Sequence, residues 1–119
     1  MSDLQPEKYR HDLEVVRNTA SQIIKDFDMI GVTITFSGNP DTAYKELLLQ
    51  VTPALAEIYK KNQTTFRALL YRIDVDEMKF KNLERSFKGD EFYNKLAELV
   101  IEREFLKMLI RKLFTGQNG

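Results

Sequence analysis

Cysteine is absent from this 119-residue chain, and so is tryptophan. Without thiols there is no disulfide, no thiol nucleophile and no zinc–thiolate site. Histidine occurs once, at His11, and one histidine cannot complete an HExxH zinc motif. Glycine (5) and proline (3) are scarce. The glycines stand between periodic segments, in no GxGxxG, GxxxxGK[ST] or GxSxG pattern, so phosphate-cradling loops and a nucleophile elbow are excluded. Net charge is missing as well: 18 basic side chains balance 18 acidic ones, which removes any global pull toward nucleic acid or an anionic membrane. The halves differ mildly, with five basic and eight acidic residues in 1–50 and thirteen and ten in 51–119. Apolar runs such as Leu47–Leu49 are far shorter than the ~20 residues of a membrane span. The polar opening MSDLQPEKYRHDLE has no signal-peptide core, so a cytoplasmic protein is expected.

What is present is material for a core. The chain is 43% hydrophobic and 30% charged, and its eight phenylalanines and five tyrosines are far more than a disordered chain carries. One helical domain over residues 1–119 is expected, with a polar tail at 116–119.

Apolar spacing implies helices almost throughout. From Pro6, suited to a first helical turn, the positions Tyr9, Leu13, Val16, Ala20, Ile23, Phe27 and Ile30 alternate by four and three. Gly31 is the expected stop. Asn39 followed by Pro40 reads as an N-cap and first turn for a second helix carrying Tyr44, Leu48, Val51, Leu55 and Ile58, kinked or broken at Pro53. A third helix places Phe66, Leu69, Leu70 and Ile73 inward. Asp74 with Glu77 has the capping-box spacing for a fourth, which buries Met78, Phe80, Leu83 and Phe87. After the Lys88-Gly89-Asp90 turn, a last helix runs from about Glu91 to Phe114. Its seam is Phe92, Leu96, Leu99, Arg103, Leu106, Ile110 and Leu113, and Ile101, Phe105 and Met108 form a second stripe.

Residues 31–38 break this pattern. Val32, Ile34 and Phe36 alternate with Thr33 and Thr35, which is strand spacing. An unpaired strand must satisfy its backbone elsewhere. Ten extended residues reach roughly 33 Å, close to the length of the first helix, so the segment is expected to be a crossover that lets the first two helices point the same way. The fold class is therefore all-α: a bundle of four or five helices with one extended, strand-like crossover.

Functional signals are few. Arg103 falls on a core seam, where a guanidinium needs a paired carboxylate or a path to solvent; with Tyr71 and Arg72 it makes up the set of binding candidates. The Asp74, Asp76 and Glu77 cluster lacks the glycine and twelfth-position glutamate of an EF-hand and suits a helix N-terminus, so no metal site is expected. His11, between Arg10 and Asp12, reads as a solvated helix position. Residues 64–88 have the outline of a helix-turn-helix, but Arg72 and Lys81 stand where glycine and an apolar residue are usual. Acidic and basic side chains are also mixed along the second helix, so nucleic acid is not the expected partner. No catalytic residue, cofactor or metal emerges. The favoured expectation is a small protein-interaction or regulatory module, homodimeric through Ile101, Phe105 and Met108. The alternatives are the nucleic-acid binder and a ligand-binding or enzymatic bundle with its site around Arg103.

Overall fold

The computed structural model describes residues 5–118. After a 3₁₀ turn at Pro6–Tyr9 come five helices: α1 (Leu13–Asp28), α2 (Ala43–Lys61), α3 (Gln63–Ile73), α4 (Glu77–Ser86) and α5 (Gly89–Asn118). No β-strand occurs among the described residues. The bundle is all-α, as the spacing implies, and α5 is its spine. Thirty helical residues span ~45 Å, matching the long dimension of 44 Å.

The heptad expected from Pro6 is interrupted. Arg10 and His11 form a bend, and α1 starts afresh at Asp12, whose carboxylate accepts from the Val15 amide at 3.0 Å. Lys112 near the far end of α5 grips the same Asp12 at 2.9 Å. An aspartate cap is worth about 1 kcal/mol and prevails over the proline start. Leu13 is exposed, while the expected seam positions Val16, Ala20, Ile23 and Phe27 are buried together with Val15, Thr19 and Asp26. Gly31, at φ 81°, ends the helix, with the Val32 amide bonded back to the Phe27 carbonyl at 2.9 Å.

The extended segment is the expected crossover. Ile34 is buried, and Val32 and Phe36 pack against the same core. Its backbone is satisfied by side chains of α2. The Gln50 amide accepts from Thr35 N–H at 2.8 Å and donates to Thr35 O at 2.8 Å. Glu46 accepts the Ser37 amide at 2.9 Å and the Ser37 hydroxyl at 2.6 Å. Two extended residues advance about 6.6 Å and four helical ones about 6 Å. The pairing therefore keeps step, with the segment running opposite to α2. It carries the chain back so that α1 and α2 begin at the same end, where His11 meets Asp41 at 2.8 Å.

Three boundaries differ from the sequence pattern. Asn39 caps a turn, accepting from Asp41 N–H at 2.9 Å, and α2 begins only at Ala43. Pro53 leaves α2 as one assigned helix; it faces solvent, where a carbonyl that loses its donor is hydrated. Asp74 closes α3 in a left-handed conformation, φ 67°, and Asp76 is the cap of α4, accepting from Lys79 N–H at 3.0 Å. With its phase set by Asp76, α4 buries no residue fully, and Met78 points outward. At the other end α5 continues through the expected tail to Asn118. One helical glycine costs about 1 kcal/mol relative to alanine, too little to force a stop.

In α5 the buried residues come in adjacent pairs four apart: Phe92/Tyr93, Leu96/Ala97, Val100/Ile101, Glu104/Phe105, Met108/Leu109. A repeat of four drifts about 40° per step on a 3.6-residue helix. The buried face thus winds around α5. Its beginning meets α2, α3 and α4 through an aromatic cluster: Tyr59 lies 5.0 Å from Phe66 and 5.3 Å from Phe92, and Phe66 lies 5.7 Å from Phe80. Such edge-on pairs add ~0.5–1.5 kcal/mol each beyond burial. Its end packs on Val15 and Tyr9. The expected seam through Leu99, Arg103, Leu106, Ile110 and Leu113 is only partly covered, and Ile110 is exposed.

Candidate functional site

Two groups of polar side chains lie on opposite faces of α5. The first lines a half-open pocket of about 350 Å³ where α1 and α2 begin. Val16, Ala43, Leu47, Ile101 and Phe105 give it an apolar wall, and Arg10, His11, Asp41, Tyr44 and Glu102 are its polar groups.

The bend between the 3₁₀ turn and α1 positions Arg10. Its guanidinium forks onto Glu102, Nη1 to Oε1 and Nη2 to Oε2, both at 2.9 Å. It also lies over the Phe105 ring, 4.5 Å from the centroid. Hydrogen bonding to Glu102 raises the Arg10 pKa further, so the cation is permanent. The Asn39–Thr42 turn holds Asp41, whose Oδ1 meets His11 Nδ1 at 2.8 Å, leaving Nε2 for another partner. Tyr44 is 48% exposed. Burial, then the charges of Glu98 and Glu102, push its phenol above the ordinary value. Thr19 is buried, and its hydroxyl donates to Val15 O at 2.7 Å. The lining contains no serine or cysteine. The arrangement can bind and orient a molecule; it supplies an imidazole–carboxylate pair without an activated nucleophile beside it.

The second group is interior. Asp26 is 1% exposed and Glu104 0%. Asp26 Oδ1 accepts from Gln22 Nε2 at 2.9 Å and Arg72 Nε at 2.7 Å. Lys107 Nζ donates to Ile73 O at 2.7 Å and stands 2.8 Å from Glu104 Oε1 without the alignment of a hydrogen bond. Asp26 Oδ2 and Glu104 Oε2 therefore lack a donor from the rest of the chain, while Lys107 faces Glu104 Oε1 as an ion pair. A proton shared between the two carboxyls supplies one. Burial, and next the hydrogen bond to Asp26, raise the Glu104 pKa to about 8, with Lys107 pulling against them. Burial also pushes Asp26 upward, but its bonds to Glu104, Arg72 and Gln22 outweigh that and hold it below its ordinary value. Near neutral pH the pair is one carboxylic acid bonded to one carboxylate.

The residues singled out in the sequence fall elsewhere or into other roles. Arg103 lies outside the 350 Å³ pocket and lines another of about 300 Å³ with Asp74, Asp76 and Glu102; its Nε donates to Asp74 O at 3.0 Å and its Nη2 to Asp74 Oδ2 at 2.8 Å, closing the end of α3. Arg72 is the cation for Asp26. Tyr71 is 89% exposed, on the rim of a groove between α3 and α4. Ile101, Phe105 and Met108 are buried within the chain itself. The stripe expected as a dimer face is spent inside the monomer, because the N-terminal segment and α1 fold over it. His11, expected as a solvated helix position, is indeed exposed but pairs with Asp41 across the pocket mouth. Among the described residues no group of three or more acidic or histidine side chains is gathered as a metal site. No helix among them is long and apolar enough to cross a membrane.

Sequence signals for the residues of these two groups were present in part. Glu104 follows Ala97 and Val100 by seven and four residues and precedes Met108 by four, which is helical phase for one face. Arg10 and Asp41 carried none, since their meeting depends on the bend and the crossover. Comparison with known proteins finds no matching family model, no matching curated protein and no matching solved structure, so the site rests on its own geometry.

Proposed function

We propose that this chain is a ligand-binding helical bundle whose site is the Arg10–Asp41–Glu102 pocket. The observation that carries the reading is the combination of an apolar wall with polar side chains already fixed by one another in a half-open space of about 350 Å³. Small-molecule sites are commonly concave, mostly apolar and furnished with a few oriented polar groups, with volumes from about 300 Å³ upward. Arg10, Glu102, His11 and Asp41 are paired before any ligand arrives, which lowers the ordering cost of binding. Binding is preferred to turnover because no nucleophile accompanies His11. The test is a fragment screen on the isotopically labelled chain by NMR. Binders should shift the amides of Tyr44, Leu47, Ile101 and Phe105 together. Shifts scattered over the surface, or no binder at millimolar concentration, would overturn the reading.

A second reading, the protein-interaction or regulatory module, draws support from the α3–α4 hairpin. Tyr71 is 89% exposed and Met78 62%, and exposed large apolar side chains on a thinly buried helix suit a partner. If the partner is a second copy, the chain sediments as a dimer and Tyr71→Ser with Met78→Ser returns it to a monomer. A monomer at high micromolar concentration removes the homodimer.

A further inference from the structure

We infer that the pocket's ligand is an organic amine, an apolar body bearing a protonated nitrogen; this rests on the pocket reading above. The lining carries one permanent positive charge, Arg10, against two carboxylates, Asp41 and Glu102. The positive charge is already committed. Both terminal nitrogens of Arg10 are held by Glu102 at 2.9 Å, and one face of the guanidinium is covered by Phe105. An incoming carboxylate or phosphate would have to displace Glu102 and would meet Asp41 as a like charge. The negative charge is less committed. Asp41 is paired only through Oδ1, to His11, and its Oδ2 has no cationic partner among the described residues. Its carboxylate is mostly exposed at the mouth, where an ammonium group reaches it without full desolvation. At Tyr44, burial and then the charges of Glu98 and Glu102 keep the phenol protonated against the opposing charge of Arg10. The half-exposed Tyr44 offers a further aromatic surface for a cation. Behind these groups Val16, Ala43, Leu47 and Ile101 form an apolar wall, and the one hydroxyl among them, that of Thr19, already donates to Val15 O at 2.7 Å. The ligand's inner part is therefore hydrocarbon or aromatic, and its outer part is basic.

The experiment is calorimetric titration of the full chain with three molecules that share an indole body: tryptamine, tryptophol and indoleacetate. Tryptamine should bind about tenfold more tightly than tryptophol, and indoleacetate more weakly than both, a gap of ~1.4 kcal/mol for the first comparison. Asp41→Asn should remove most of the tryptamine advantage over tryptophol, with circular dichroism confirming the fold. Equal binding of all three, or preference for indoleacetate, overturns the amine assignment and leaves the pocket standing. Absence of binding by all three at millimolar concentration counts against the pocket and the amine together. An Asp41→Asn variant that keeps the full tryptamine advantage also overturns the assignment.

Discussion

Glu102 and Glu104 stand two residues apart on α5 and have different chemistry. Two residues turn a helix by about 200°, so the two carboxyls face opposite sides. Glu102 opens onto the pocket, 38% exposed, and is met by both arms of Arg10. Glu104 points into the junction of α1, α3 and α5, fully buried, toward another carboxyl. The first is a charge kept by a charge. The second keeps its proton, because an isolated carboxylate in that interior would cost several kcal/mol. The lesson is that residue type does not set electrostatic role. Burial and the sign of the nearest neighbour do.

The largest effect that tests this contrast is the pH dependence of stability. Glu104 titrates at about 8 in the folded chain against an ordinary value of 4.5. Between those values the folded state holds a proton that the unfolded state has released. Stability therefore falls as pH rises from 4.5 to about 8 and levels off above. The limiting slope is ~1.4 kcal/mol per pH unit, and a total of roughly 2–4 kcal/mol is expected once relaxation and water entry are allowed. Asp26 acts at the other end: its folded value lies below 3.8, so its contribution is lost as pH falls through that region. Glu104→Gln keeps the shape and a donor for Asp26. Urea unfolding across pH should show the alkaline loss in the wild type and its disappearance in the variant. Parallel curves for the two proteins would mean that Glu104 is ionised and the contrast with Glu102 is wrong.

The next effect is the removal of the cation from the interior pair. Arg72 donates to Asp26 at 2.7 Å from a half-exposed position. Arg72→Met retains the side-chain length and leaves Asp26 with only Gln22 and Glu104. Breaking a buried pair from one side costs ~3–5 kcal/mol, and solvent access to the guanidinium brings the expectation down to about 2–3 kcal/mol in the denaturation midpoint. A loss below about 1 kcal/mol would place Asp26 among ordinary surface pairs.

These roles were unequally legible in the sequence. The helices and the crossover followed from spacing, since apolar periodicity reports which face is covered. The crossover's anchoring did not: Gln50 and Glu46 look like solvated positions of α2, and only the folded path of residues 35–37 makes them its hydrogen-bond partners. In α5 a seam alternating by four and three led to Arg103, one residue from Glu104. The buried face instead winds by four, because α5 changes partners along its length, and a helix packed against one neighbour would not have drifted. Caps displaced the rest. Asp12 and Asp76 each start a helix later than the proline or capping-box pattern suggested, which leaves Leu13 and Met78 exposed. The pocket combines a bend, a turn and a mid-helix glutamate from three distant stretches, so no local pattern announced it.

The smallest effect belongs to Glu102 and sharpens the comparison most directly. Glu102→Gln removes a charge that is partly solvated, at a site where its partner Arg10 keeps Phe105 and a weaker contact with Glu7 at 3.6 Å. Exposed ion pairs are worth ~0–1 kcal/mol, and the forked geometry places this one toward the top of that range. The expected loss is therefore about 0.5–1 kcal/mol, measured by urea unfolding, and it should shrink as salt is added. The same substitution at Glu104 should raise stability at alkaline pH. Opposite signs from one chemical change, two residues apart on one helix, are what the two environments require. If Glu102→Gln cost about 3 kcal/mol or more, a magnitude typical of a broken buried pair, the Arg10–Glu102 fork would have to be a closed interior contact. Glu102 would then be no part of the pocket's accessible polar rim, which would be left to His11, Asp41 and Tyr44.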